Sequence, residues 1–308
     1  MKNSIVAGAC ILICLAFCSP EGIAVEAEKS KDGPVFVLDG DAYYSKNNFD
    51  RDRDELSGEK REGYYLASMQ ANLSLKHYLN ESMFVAPYLN VIVTHDFGGK
   101  SWNRSYWNNN QVFGLGASLG KEHDFLDENG EYMGGWYALF FSEYQVITSS
   151  IDASKNDIPE SVSSGNFKTG ASIWYDRKKT IGNGIRLWTE FWGEMAYHST
   201  YFNDKGEDNY LLATIAPRVG LSFDAGKIAV EPYVKAELLN DFLGEEWNRE
   251  PWINYLQYGP GIRISLDRIL TGNVSLFAEY LHVEYLDRKQ EDVSDDIRAG
   301  LIFWIPVL

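Results

Sequence analysis

The stretch "IAVEPYVKAEL" (Ile228–Leu238) decides the fold. Ile228, Val230, Pro232, Val234, Ala236 and Leu238 fall on one phase of a two-residue repeat, and Glu231, Tyr233, Lys235 and Glu237 on the other. A two-residue period belongs to an extended strand, whose side chains alternate between its faces. One face is apolar and the other charged, so the strand must separate two different environments.

The same alternation recurs along the chain. In Ala67–Lys76, Ala67, Met69, Ala71, Leu73 and Leu75 oppose Ser68, Gln70, Asn72, Ser74 and Lys76. In Ala213–Phe223, Ile215, Val219, Leu221 and Phe223 oppose Thr214, Arg218 and Ser222. The pattern predicts twelve strands, near 35–46, 62–80, 82–97, 110–122, 134–150, 165–178, 184–202, 210–224, 227–242, 253–268, 273–287 and 295–308. Most exceed the length of about five or six residues usual in globular sheets. Long connections follow odd strands and short ones follow even strands, with 123–134 as a longer turn on the short side. No window reads as a long amphipathic helix.

The first residues form a different unit. Lys2 begins a short positive region, Ile5–Cys18 is apolar, and Val25-Glu26-Ala27 offers small residues for cleavage after Ala27. This is the layout of a secretory signal peptide, and the apolar run is shorter than the ~20 residues of a helical span. The expected division is a signal peptide over 1–27 and one domain over 28–308. Cys10, Cys14 and Cys18 all lie in the leader. The mature chain is thus expected to have no disulfide, thiolate metal site or cysteine nucleophile.

A formal net charge of −16 and the absence of a basic stripe argue against a nucleic-acid partner. The chain holds 9 Trp, 19 Tyr and 16 Phe, many near predicted strand ends, as in the interfacial girdles of membrane barrels. Secretion, long alternating strands, an even count and alternating loop lengths predict an all-β fold: a twelve-stranded antiparallel transmembrane β-barrel in a Gram-negative-type outer membrane. Apolar residues would face lipid, polar residues the lumen, and closure would pair every backbone edge. A soluble secreted β-sandwich or lipocalin-like barrel would also alternate, but with shorter strands and no need for an apolar exterior all round.

The chain also repeats itself. "DFGGKSWNRSYWNN" (Asp96–Asn109) returns as "DFLGEEWNREPWIN" (Asp241–Asn254), 145 positions later. At the same offset Ala86-Pro87-Tyr88 matches Glu231-Pro232-Tyr233, and Gly114 and Gly116 match Gly259 and Gly261. With small slips, Phe141-Ser142-Glu143-Tyr144 matches Phe277-Ala278-Glu279-Tyr280, and Lys168, Gly170 and Trp174 match Arg298, Gly300 and Trp304. Strand n resembles strand n+6, which predicts two duplicated six-stranded halves. The Trp-Asn-Arg copies read as structural corners of long loops.

Asp241, Gly244, Trp247-Asn248-Arg249, Tyr258-Gly259-Pro260-Gly261-Ile262-Arg263 and Phe277-Ala278-Glu279-Tyr280 resemble the C-terminal barrel of bacteriophage N4 adsorption protein A. They are also similar to related outer-membrane barrels of exopolysaccharide secretion. That resemblance implies a role in polysaccharide export. Members of that group carry helical repeats ahead of the barrel, which this sequence lacks, so export would call for a separate periplasmic scaffold protein.

Enzyme chemistry finds little support. His95 followed by Ser101-Trp102-Asn103-Arg104 is similar to elements of outer-membrane phospholipase A, but Phe97 stands where the serine nucleophile is needed. The second copy has Asn240 in place of His95. The five histidines show no metal-ligand spacing, Asp50–Glu55 reads as a solvated or lipopolysaccharide-bridging loop, and Gly114-Leu115-Gly116 is no nucleotide loop. No catalytic residue, metal or cofactor is expected.

The lumen carries the functional expectation. Arg186, Trp188, Glu190, Trp192, Glu194, Arg218, Glu231, Tyr233, Lys235 and Arg263 lie on polar phases and form the candidate substrate-binding set. Aromatic faces beside hydrogen-bonding groups suit sugar rings. The expected function is a narrow channel exporting a polysaccharide or oligosaccharide. The alternatives are a non-transporting receptor or adhesin barrel and a general solute porin. The bilayer and lipopolysaccharide are the expected partners. Paired lumen charges would favour the receptor, and an open column lined by Trp188, Trp192 and Tyr233 would favour export.

Overall fold

In the computed structural model, residues 33–49, 64–97, 110–130, 132–149, 163–182, 184–199, 209–243, 254–266, 272–286 and 293–307 are described. They form β1 (Val35–Phe49), β2 (Tyr64–Tyr78), β3 (Met83–Asp96), β4 (Asn110–Leu126), β5 (Tyr132–Ser149) and β6 (Ser163–Gly182). The second half is β7 (Ile185–His198), β8 (Tyr210–Ala225), β9 (Ile228–Asp241), β10 (Tyr255–Ser265), β11 (Asn273–Tyr285) and β12 (Val293–Val307). Each strand pairs antiparallel with its sequence neighbours, and β1 closes on β12 from Phe36↔Val307 to Phe49↔Ser294. Closure removes both sheet edges.

All twelve expected strands are present. One expected boundary is corrected. The longer turn at 123–134 is mostly strand, because β4 continues to Leu126 through a register shift at Phe125/Leu126. The turn itself is short: the Asp127 carboxylate accepts the Asn129 N–H at 2.8 Å, and Gly130 takes a positive φ of 81°. The expected signal peptide and both Trp-Asn-Arg copies lie outside the described residues.

Connections 79–82, 127–131, 183–184, 226–227 and 266–272 leave one rim, together with the chain ends. Connections 50–63, 97–109, 150–162, 199–209, 242–254 and 286–292 leave the other. These are called the turn rim and the loop rim. The repeat reappears where strands meet the loop rim. Phe97 N–H donates to the Tyr65 carbonyl at 2.8 Å, and its counterpart Phe242 donates to Leu211 at 2.9 Å.

The burial phase agrees with the alternation. On β9, Ala229, Glu231, Tyr233 and Lys235 are buried, whereas Pro232 and Val234 are exposed. Outward side chains are large and apolar: Phe140 is 70% and Leu115 65% exposed, with Leu89, Tyr144 and Val234 following. An apolar exterior around a closed sheet with a polar interior is the inverse of a soluble barrel and suits lipid.

Candidate functional site: the lumen network

The inward phases of β6–β12 carry acids and bases at matching heights. Arg186 and Asp224 form a 2.5 Å pair near the turn rim. Above them Glu231 accepts from Arg263 Nε at 2.6 Å and from the Ser265 hydroxyl at 3.0 Å, with Lys178 Nζ 3.3 Å away. Glu190 takes Arg263 Nη1 at 2.9 Å on one oxygen and Arg218 on the other. Glu279 then accepts from the Tyr233 hydroxyl at 2.7 Å and Lys235 at 3.3 Å, with Arg218 Nε at 3.7 Å. Lys235 also pairs with Glu237 at 2.9 Å, which accepts the Tyr255 hydroxyl at 2.8 Å. Nearest the loop rim, Asp296 holds Arg298 and the Ser45 hydroxyl, each at 2.5 Å.

This ladder joins groups up to three strands apart, such as Arg263 on β10 with Glu190 on β7. Buried charges survive only when paired and hydrogen-bonded, and these are. Water scarcely reaches the middle of the ladder: Glu231 and Trp188 are 0% exposed, and Tyr233, Lys235 and Glu279 are buried.

The ten candidate residues all face inward. Arg186, Glu190, Arg218, Glu231, Tyr233, Lys235 and Arg263 join the ladder directly. Trp188 packs inside it, with Arg263 over its ring at 4.2 Å and Tyr233 edge-on at 5.5 Å. Glu194 pairs with Lys168 at 2.7 Å, toward the other half. Trp192 is half-buried, cross-strand from Trp174 and Ala216. Trp188 and Tyr233 are therefore packed among the charges, where they fill the lumen instead of lining a passage.

The first half holds a different cluster, outside the candidate set, centred on Glu143. That carboxylate, 3% exposed, accepts from Tyr88 at 3.2 Å and from Asn90 and Gln145 at 3.1 Å each. Asn166 bridges Gln145 at 2.8 Å and His198 Nδ1 at 3.0 Å. Among the described residues Glu143 has no cationic partner. The available signal was Asn90 itself, which aligns with Lys235 across the repeat.

The two halves share one joint. Tyr88, Gly116 and Glu143 are aligned across β3–β5, and Tyr233, Gly261 and Glu279 across β9–β11. A Cβ on Gly116 would lie 2.5 Å from Tyr88 Cζ, and one on Gly261 2.5 Å from Tyr233 Cζ. Only glycine lets each tyrosine lie across the intervening strand to its glutamate. Around this common joint the halves diverge: Asn72, Ala86, Asn90 and Ser118 align with Arg218, Glu231, Lys235 and Arg263. At these four positions the second half therefore carries long charged chains and the first half smaller neutral ones.

His95 is exposed and meets the Phe97 ring edge-on at 4.9 Å. Asn103 lies outside the described residues. Among the described residues no group of three or more His, Cys, Asp or Glu is placed to hold a metal.

No protein-family description and no curated protein matches the chain. Solved structures do. The β-domain of the Bordetella autotransporter BrkA is 12% identical, covering 88% of this chain and 99% of that one, with a TM-score of 0.41. The translocator domain of autotransporter NalP from Neisseria meningitidis is 11% identical, covering 98% and 96%, with a TM-score of 0.41. An outer-membrane channel from Pseudomonas putida F1 is 11% identical, covering 89% and 96%, with a TM-score of 0.44. The chain's own strands, closure and apolar exterior make it a twelve-stranded transmembrane β-barrel.

Proposed function

We propose that this is an outer-membrane barrel closed at rest by its own lumen side chains, with a receptor or adhesin role carried by the long connections. The observation behind this reading is the ladder from Arg186–Asp224 to Asp296–Arg298, buried through its middle, in which the charges pair with one another. Narrow lumens of about twelve strands leave little room beyond such a network. In this reading the chain ends and the turn rim face the periplasm, and the loop rim meets lipopolysaccharide. The sequences of those connections, such as Asp50-Arg51-Asp52-Arg53, alternate in sign.

Export of a polysaccharide or oligosaccharide, with a separate periplasmic scaffold, is the second reading. It draws on the contrast between the halves: releasing the ladder from Glu190 would free space beside the smaller side chains of Asn72, Ala86 and Ser118. Planar-bilayer recording of the refolded protein, with and without neutral and acidic oligosaccharides, separates the readings. A silent folded barrel supports the closed receptor. A steady current blocked by saccharides overturns it in favour of the conduit, and a steady current indifferent to them makes it a porin.

A further inference from the structure

The exterior of the barrel is apolar around most of the turn rim. On β7–β9 the outward residues there are Leu187, Leu221, Phe223 and Val230. The outward face of β4–β6 differs. Lys121, Arg177 and Lys179 are exposed on it, alongside His123, Phe125, Trp136 and Tyr175. Neighbouring acids take the opposite phase. Glu122 faces inward to Lys76 at 2.9 Å, and Asp176 is buried in the lumen. Lys178, between the two outward cations, also turns inward, to Glu231. Among the described residues Lys121, Arg177 and Lys179 form no ion pair.

The aromatics and cations are built into one patch. His123 is cross-strand from Trp136, and Trp136 from Tyr175. In the next row Phe125, Gly134 and Arg177 are aligned, and the glycine leaves Arg177 free to lie over the Phe125 ring at 5.2 Å. Phe125 meets Tyr175 edge-on at 5.9 Å and His123 at 5.5 Å. Arg177 is therefore held at the surface by a ring instead of a carboxylate, with its outer N–H groups open.

We propose that this patch binds the phosphate of an anionic phospholipid in the leaflet at the turn rim. Aromatic side chains set the headgroup level of a membrane protein, and lysine stems run along apolar surface to place their charge there. Arg177 and Lys179 would meet the phosphate, Lys121 would reach it from deeper in the apolar belt, and Trp136 and Tyr175 would flank the acyl ester region. The site rests on the membrane-spanning reading and is independent of whether the lumen conducts.

Native mass spectrometry of the delipidated, refolded barrel tests this, with phosphatidylglycerol or phosphatidylcholine added back. The wild type should retain phosphatidylglycerol in preference to phosphatidylcholine. Each interfacial charge removed should weaken retention about fivefold, and Arg177→Gln with Lys179→Gln about 25-fold. Lys227→Gln, an exposed cation on the β8–β9 turn, should change nothing. Undiminished retention by the double variant, or an equal loss in Lys227→Gln, overturns the proposal. Heat-shifted gel migration of the same samples reports folding. If the double variant does not fold, Lys121→Gln alone carries the test, with a fivefold loss expected and no loss overturning the site.

Discussion

Gly116→Ala puts a carbon where the Tyr88 ring lies, 2.5 Å from Cζ and 2.7 Å from the hydroxyl oxygen. On its other side the Ser142 carbonyl stands 2.8 Å away, fixed by the β4–β5 ladder, so the ring must move. Overpacking of this kind costs about 1–3 kcal/mol. Moving the ring also removes the Tyr88 hydrogen bond to Glu143, about 1.5–3 kcal/mol for a charged acceptor. The expected loss is therefore about 2.5–6 kcal/mol. Gly261→Ala meets Tyr233 equally closely, but Glu279 keeps Lys235 and Arg218, so its loss should stay nearer about 1–3 kcal/mol. Urea unfolding in phospholipid vesicles, followed by tryptophan fluorescence, measures both. In a Tyr88→Ala background the ring clash is gone and only the Ser142 carbonyl contact remains, so most of the Gly116→Ala cost should disappear. If its cost there is unchanged within about 0.5 kcal/mol, the ring is not what the methyl meets and the reasoning fails.

Three further outcomes are expected. Glu190→Ala removes the carboxylate shared by Arg218 and Arg263, which keep Glu279 and Glu231, and should cost about 1.5–3 kcal/mol in the same unfolding assay, as loss of hydrogen bonds to a charged group does. Phe140→Arg places a charge on the apolar exterior and should cost about 2–4 kcal/mol in vesicles by the same urea unfolding. Asp241→Ala removes the carboxylate that accepts Leu211 N–H at 3.0 Å and Leu243 N–H at 3.2 Å. It should cost about 1–3 kcal/mol, with faster amide exchange at both positions.

The strands were readable because a two-residue period is local, and Ile228–Leu238 declares both of its faces without help from its neighbours. Strand ends were less so: the β4–β5 turn depends on Asp127 and Gly130, and sequence alternation weakens there. The repeat was also local, and it foretold that Tyr88 and Tyr233 occupy equivalent places. What each tyrosine touches depends on cross-strand register, which joins residues 55 and 46 positions apart in the hydrogen bonds to Glu143 and Glu279. No spacing rule contains that register. For the same reason the inward phase of Trp188 was evident, while its enclosure by Arg263 and Tyr233 was not. An aromatic beside charges reads the same whether it lines a passage or fills one.

The closed lumen is the central claim, and the chain suits a direct test because its cysteines all precede residue 19. Ala216 is buried, inward-facing and cross-strand from Trp192. An Ala216→Cys barrel in vesicles should react with a small methanethiosulfonate reagent far more slowly than the unfolded chain, and should become reactive when Glu190→Ala is added. Labelling of the folded Ala216→Cys barrel as fast as the unfolded chain would contradict the account, because the lumen would then be open at its middle.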